Sequence, residues 1–218
     1  MNNEHPILFS TPMVKAILDG RKTQTRRILK FPQPLDILPM VKPDKDGFVA
    51  LMTRNPNHGQ IIKCRYSNVG DKLWVRESWA SQHKYDHLPP RLIPHDANIH
   101  FATSEQLGGL MHRPSIFLPR WASRLTLEIT EIRVQRLQEI TQQDAIQEGV
   151  LFMGGMADNW DDAPWCASLK DQEPMKYPSA AYGRLWDTIN GKTHPWESNP
   201  WVWAISFKVL DSAVKEVK

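Results

Sequence analysis

Little in this chain is suited to covalent stapling or to a membrane. Two cysteines, Cys64 and Cys166, occur among 218 residues. That is too few for a disulfide framework and, unaided, for a four-cysteine zinc site. No apolar run approaches the roughly 20 residues that a bilayer demands. The opening Met-Asn-Asn-Glu-His-Pro lacks the basic and long apolar regions of a secretory signal. An excess of charge of one sign is missing too: 27 Lys and Arg against 24 Asp and Glu give a formal net charge of +3. That is mild for a nucleic-acid coat or a polybasic membrane anchor. There is no Gly-x-Gly-x-x-Gly run and no Gly-x-Ser-x-Gly nucleophile elbow, and Gly191-Lys192-Thr193 lacks the earlier glycine of a phosphate-binding loop, where Trp186 stands. Internal repeats and low-complexity tracts are absent as well. What remains is a chain with 41% apolar and 23% charged residues, a mixture compatible with a real core. A soluble, cytoplasmic protein of a single domain over residues 1–218 is expected, with no membrane partner.

Proline and tryptophan are the abundant oddities, at 17 and nine residues. The prolines crowd into Pro32 to Pro56, Pro89 to Pro119 and Pro164 to Pro178, where sustained periodicity is lost. These stretches read as loop insertions near 32–68, 80–120 and 150–178. Between them the patterned segments are short. Ile7-Leu8-Phe9 reads as a strand, and Thr11-Pro12 opens a helix whose apolar face is Val14, Ile17 and Leu18 and whose end is Gly20. Lys72 to Trp79 reads as a strand after the turn Gly70-Asp71. Leu125, Leu127 and Ile129 alternate, and the alternation resumes at Ile132 and Val134 with opposite parity, which predicts a bulge near Thr130 or Glu131. Thr141-Gln-Gln-Asp144 starts a short helix that stops at Gly149. Tyr182, Leu185, Trp186 and Ile189 share a helical face. Trp201, Trp203, Ile205, Phe207 and Val209 share a strand face, and the tail beyond Leu210 frays. The expected class is α+β, around a curved sheet or small barrel.

Metal chemistry finds no convincing ligand set. His83 and His87 are correctly spaced for one helical face, but Pro89, Pro90 and Pro94 follow, and Lys84 stands where a zinc protease has glutamate. Asp158, Asp161 and Asp162 lack calcium-loop spacing. Neither a metal nor a cofactor is therefore expected.

Three segments carry chemistry. Gly20-Arg21-Lys22-Thr23-Gln24-Thr25-Arg26-Arg27 packs four cations and two threonine hydroxyls into eight residues. It is either a solvated basic strand or a site in which neighbouring guanidinium groups and burial depress the pKa of Lys22, so that it activates a hydroxyl such as Thr25. In a regular strand Lys22 and Thr25 face opposite sides, so their meeting requires an irregular turn after Gly20. Glu148 falls in the last turn of its short helix, where the dipole disfavours a carboxylate by roughly 0.3–1 kcal/mol. Asp144, one helical turn earlier, adds like-charge repulsion. Both effects raise the pKa expected for Glu148, as suits a general base or acid; a solvated helix-end glutamate is the plain alternative. In Gly70-Asp71-Lys72-Leu73-Trp74-Val75-Arg76-Glu77-Ser78-Trp79, large rings beside Arg76 and Glu77 either frame a planar ligand or belong to the core.

Taken in order, these segments resemble the ASCH family of the PUA-like superfamily. The likeness also includes Leu185-Trp186-Asp187-Thr188-Ile189-Asn190-Gly191 through Asn199-Pro200-Trp201-Val202-Trp203, similar to larger ASCH proteins of bacteria and their prophages. It implies a small, mostly antiparallel PUA-like β-barrel with short flanking helices. Some small bacterial members are acetylcytidine amidohydrolases, whose lysine and threonine lie in a Gly-Arg-Lys-Thr-x-Thr-x-Arg segment and whose glutamate lies in a His-Ala-x-x-Glu-type helix. Lys22, Thr25 and Arg27 match the first motif, and Asp144-Ala145-Ile146-Gln147-Glu148 resembles the second. The resemblance implies catalytic roles for Lys22, Thr25 and Glu148. The expected substrate-binding residues are Arg27, Arg76, Glu77 and Trp79, and the expected substrate is an acylated cytidine or similar small amide. Other members of the superfamily are proposed to bind or cleave RNA, which makes a non-catalytic RNA-binding module, with RNA as partner, the alternative expectation.

Overall fold

The computed structural model describes residues 3–30, 40–44, 47–52, 60–66, 68–103, 108–153, 165–167 and 175–212. In chain order its elements are β1 (Glu4–Leu8), α1 (Thr11–Leu18), β2 (Gln24–Ile28), β3 (Met40–Asp44), β4 (Gly47–Met52), β5 (Gln60–Lys63), β6 (Lys72–Arg76), β7 (Trp79–Ser81) and β8 (Ile99–Phe101). There follow β9 (Leu125–Arg136), α2 (Gln142–Gln147), β10 (Leu151–Phe152), β11 (Trp165–Cys166), α3 (Pro178–Asn190) and β12 (Trp201–Ser212). The class is α+β with mostly antiparallel pairing. The principal strand order, β1-β6-β9-β12-β2, is open among the described residues and does not close into the expected barrel. No helix among the described residues is long and apolar enough to cross a membrane.

The backbone groups into two compact units; of the four boundaries, one falls after α1, one before β6, one inside β9 and one inside β12. One consists of Met1–Asp19, Gly70–Ile129 and Lys208–Lys218, the other of Gly20–Val69 and Thr130–Phe207.

In the first unit β6 pairs in parallel with β1, from Glu4↔Lys72 to Leu8↔Arg76, and antiparallel with the start of β9. Strand alternation buries Ile7, Leu73, Val75, Leu125, Leu127 and Ile129. Helix α1 begins one residue earlier than expected: its cap is Ser10, and Thr11 is already helical, with Pro12 in the first turn. The expected strand from Lys72 to Trp79 divides into β6 and β7. β7 pairs with β8, and beside them Trp79, Ile93, Ala97, Leu118 and Ala122 form a small core of their own. This part of the chain, expected as a loop insertion, is therefore packed. Four of its five prolines, Pro89, Pro90, Pro114 and Pro119, stand at the starts of short 3-10 turns, where their fixed φ fits and no backbone donor is lost.

In the second unit β12 pairs antiparallel with β2, from Val202↔Ile28 to Ser206↔Gln24. Trp201 to Ile205 are buried on both faces of β12, whereas Val209, expected on the apolar face, is exposed. The shift in parity along β9 lies where expected: Thr130 and Glu131 are both exposed between buried Ile129 and Ile132. Helices α2 and α3 contribute Ala145, Ala181, Tyr182 and Trp186 to a core with Leu137, Ile140, Val150, Trp165 and Val202. Ile189, expected on the same face of α3, is 52% exposed. Gly183 permits close approach of the Trp196 ring, which would lie 3.2 Å from an added Cβ. A further departure is the antiparallel meander β3-β4-β5, where loop was expected. Pro43 sits on the outer strand β3, a place where a missing donor is tolerated.

Candidate functional site

The end of α2 and the start of β2 meet within the second unit. Thr141 caps α2, its Oγ1 accepting the Asp144 N–H at 3.0 Å. Gly149, at φ +93°, turns the chain away directly after Glu148. The segment leading into β2 is pinned on both sides: Thr23 N–H donates to Gln147 O at 2.8 Å, and Phe207 N–H donates to Thr23 O at 2.8 Å.

This arrangement places Lys22 and Glu148 in contact. Lys22 Nζ donates to Glu148 Oε2 at 2.7 Å, to Glu148 O at 2.9 Å and to Gln24 O at 2.8 Å. All three ammonium protons thus have acceptors. Lys22 is 1% exposed and Glu148 3%. Arg26 Nη1 donates to Glu148 Oε1 at 3.0 Å and to Gln24 Oε1 at 2.6 Å, while its Nη2 donates to Asp144 Oδ2 at 3.0 Å. Asp144 Oδ1 accepts from Arg133 Nη2 at 2.9 Å and from Gln24 Nε2 at 3.2 Å. Tyr182 of α3 is buried beside this group, with the Glu148 charge acting on its phenol, and the Arg26 guanidinium lies 5.7 Å from its ring centroid.

Burial pushes the Lys22 ammonium below its ordinary pKa; the nearby Arg27 and Arg26 charges act the same way, and Glu148 opposes them without reversing the shift. Burial, with the Glu148 charge, holds the Tyr182 phenol well above its usual range, so it stays protonated. Burial pushes the Asp144 carboxyl up, but the Arg133 hydrogen bond and the Arg26 and Arg133 charges outweigh it and leave the group below its ordinary value. The repulsive neighbour expected of Asp144 is therefore itself tied to two guanidinium groups.

Of the expected catalytic residues, Lys22 and Glu148 come together. Thr25 is buried on β2 opposite Ile205. Strand alternation turns it to the face opposite Gln24 and Arg26, and no hydrogen bond joins it to Lys22 or Glu148. Arg27 is half-buried opposite Trp203, and its charge acts on Lys22 and Tyr182. Arg76, Glu77 and Trp79 belong to the first unit. There the Arg76 guanidinium lies 4.5 Å from the Trp74 ring centroid. Glu77 accepts from Arg124 Nε at 2.9 Å and Nη2 at 3.0 Å, and Arg124 also bonds the Thr103 hydroxyl. Trp79 is 0% exposed and forms an antiparallel bridge with Arg113.

Gln24, Arg26, Asp144, Arg133 and Tyr182 complete the network and were not marked as site residues by the sequence. The i, i+2 relation of Gln24 to Arg26 and the i, i+4 relation of Asp144 to Glu148 are the signals that locate two of these pairs. Nothing local ties Arg133 or Tyr182 to them. Among the described residues no group of three or more His, Cys, Asp or Glu side chains converges on a common metal position. Chemically, the site offers an amine held against a carboxylate, with a guanidinium shared between that carboxylate and a second one. Compared with family models, with curated proteins and with solved structures, the chain matches none.

Proposed function

We propose that this chain is an ASCH-type, PUA-like amidohydrolase that removes the acyl group from the exocyclic amine of an acylated cytidine, or from a similar small amide. The observation that carries the reading is the 2.7 Å contact between Lys22 Nζ and Glu148 Oε2. It joins two residues, 126 apart in sequence, that the resemblance had paired as catalytic lysine and glutamate. On this reading Glu148 takes a proton from the attacking water, whose oxygen bonds to the acyl carbon, and Lys22 polarises the carbonyl oxygen. The C–N bond then breaks, and Glu148 returns the proton to the departing amine, leaving a carboxylic acid and free cytidine. Thr25 and Arg27 alternate to the face of β2 away from Gln24 and Arg26, so no step runs through them; Arg27 acts on Lys22 through its charge. Because neither Lys22 nor Glu148 is open to solvent, the cycle includes an opening step that admits the substrate.

The RNA-binding alternative draws less support. Lys22 and Arg26, two of the four cations between Gly20 and Arg27, direct their donors to Glu148, Gln24 and Asp144. Trp79, its stacking candidate, is fully buried. Chromatographic detection of cytidine released from acetylcytidine tests the proposal, with Lys22→Ala as control and folding checked by circular dichroism. The expected result is release that is lost in the variant and nearly insensitive to salt. Absence of release from the folded wild-type protein, together with RNA affinity that falls steeply with salt, would overturn it in favour of RNA binding.

A further inference from the structure

Arg26 stands between two carboxylates, with Nη1 on Glu148 Oε1 and Nη2 on Asp144 Oδ2, each at 3.0 Å. A guanidinium is a rigid planar fork, so a carboxylate fixed at one end constrains the orientation of the carboxylate at the other. Asp144 is fixed: its Oδ1 accepts from Arg133 and Gln24, and its N–H donates to Thr141 Oγ1. Gln24 closes the ring by accepting from Arg26 Nη1 at 2.6 Å. With Oε1 of Glu148 held by Arg26, Oε2 faces Lys22 Nζ.

We propose that Asp144 is a positioning residue for the Lys22–Glu148 pair, acting through Arg26. What the pair does rests on the amide-hydrolysis reading; the coupling itself needs no substrate. Among the described residues the charged and titratable groups around the pair are Arg21 and Lys22 just before β2, Arg26 and Arg27 on it, Asp144 on α2 with Glu148 at its end, Tyr182 on α3 and Arg133 on β9; Arg21 Nη1 donates to Gly149 O at 3.3 Å. Glu131 lies 3.4 Å from Arg133 Nε. Without the Asp144 charge, Lys22, Arg26 and Arg27 would face Glu148 as the one buried anion. Asp144→Asn keeps the shape and removes that charge, so Lys22 gives up its proton at lower pH. Arg133→Gln alters a side chain that is 36% exposed. It removes a cation and leaves Asp144 less neutralised, so Lys22 keeps its proton to higher pH. The two variants thus have opposite signs, which a loss of packing alone would not produce.

The experiment is an NMR titration of the Lys22 side chain in the full chain labelled at lysine, for wild type, Asp144→Asn, Asp144→Glu and Arg133→Gln. The midpoint should fall by about one pH unit in Asp144→Asn, a tenfold change in protonated fraction. It should rise in Arg133→Gln and return close to wild type in Asp144→Glu. Unmoved midpoints in folded Asp144→Asn and Arg133→Gln overturn the proposal. If Asp144→Asn does not fold, Arg133→Gln decides: a rise supports the coupling and an unmoved midpoint overturns it. Turnover of acetylcytidine against pH in the same variants separates the two readings. Midpoints that move as stated in a protein inert towards acylated cytidine contradict the substrate reading and support Asp144 as a positioning residue. Midpoints that stay fixed in an active enzyme overturn the positioning role alone.

Discussion

Replacing Lys22 with methionine tests the energetic weight of the buried pair. The substitution keeps most of the stem and deletes the ammonium, so Glu148 Oε2, Glu148 O and Gln24 O all lose a donor. Breaking a buried ion pair by removing one partner costs about 3–5 kcal/mol, because the remaining charge is stranded in low dielectric. Here Glu148 keeps Arg26 on Oε1 at 3.0 Å, which places the expected loss at the lower end, about 3 kcal/mol. For a chain of this size that corresponds to a fall in Tm of about 6–12 °C. Urea unfolding of Lys22→Met, Glu148→Leu and the double variant measures it. The double variant should be more stable than the sum of the single losses implies, by about 2 kcal/mol, because residues in one network do not act additively. A loss under about 1 kcal/mol for Lys22→Met, or strict additivity, would refute the claim that the two groups stabilise each other.

Titration gives a second test, with the sign set by each group. The lowered Lys22 pKa means that the unfolded chain binds more protons than the folded one between the folded value and 10.5. Stability from this group therefore rises with pH across that window. The raised Tyr182 value acts in the opposite sense above pH 10, where the unfolded phenol ionises and the folded one does not. Tyr182→Phe should accordingly flatten the alkaline loss of stability expected of the wild type, and an unchanged slope above pH 10 would contradict the phenol's burial beside Glu148. Gly149→Ala places a side chain at φ +93°, at a cost of about 1–2 kcal/mol; an unaltered Tm would show that the turn relaxes freely. In the first unit, Glu77→Gln removes the charge that Arg124 holds through two bonds. Urea unfolding should show a loss of about 2 kcal/mol, and a neutral outcome would make this ion pair dispensable.

How much of this was legible in the sequence depended on whether the signal was local. Thr141, Asp144 and Gly149 mark both ends of α2, and the odd placement of Glu148 singles it out before any contact is known. Its partner across 126 residues came from motif resemblance, since no periodicity links a helix end to a coil before a strand. Arg26 was hidden by its company: four cations in eight residues read as a solvated face, and only the fold shows Asp144 and Glu148 waiting for it. The same distance rule explains the misjudged Asp144, a repulsive neighbour along the helix but a partner of Arg26 and Arg133 in space. The proline-rich stretches defeated pattern reading for another reason. Prolines break the periodicities by which strands are recognised, yet Pro43 fits an outer strand and Pro89, Pro114 and Pro119 start 3-10 turns around the core of Trp79 and Leu118. Ser10 stands at the cap position of α1 expected of Thr11, and its side chain makes no capping hydrogen bond.

The central claim is that Lys22 and Glu148 form a working pair and not only an ion pair that holds β2 to α2. Glu148→Gln separates these roles, because glutamine retains the shape and one acceptor oxygen, for Lys22 or for Arg26, while losing the capacity to take a proton. Initial rates of cytidine release from acetylcytidine, measured for wild type and for folded Glu148→Gln at equal concentration, provide the most direct measurement. The account predicts a drop of about 100-fold or more in turnover. Equal rates in the two proteins would contradict it.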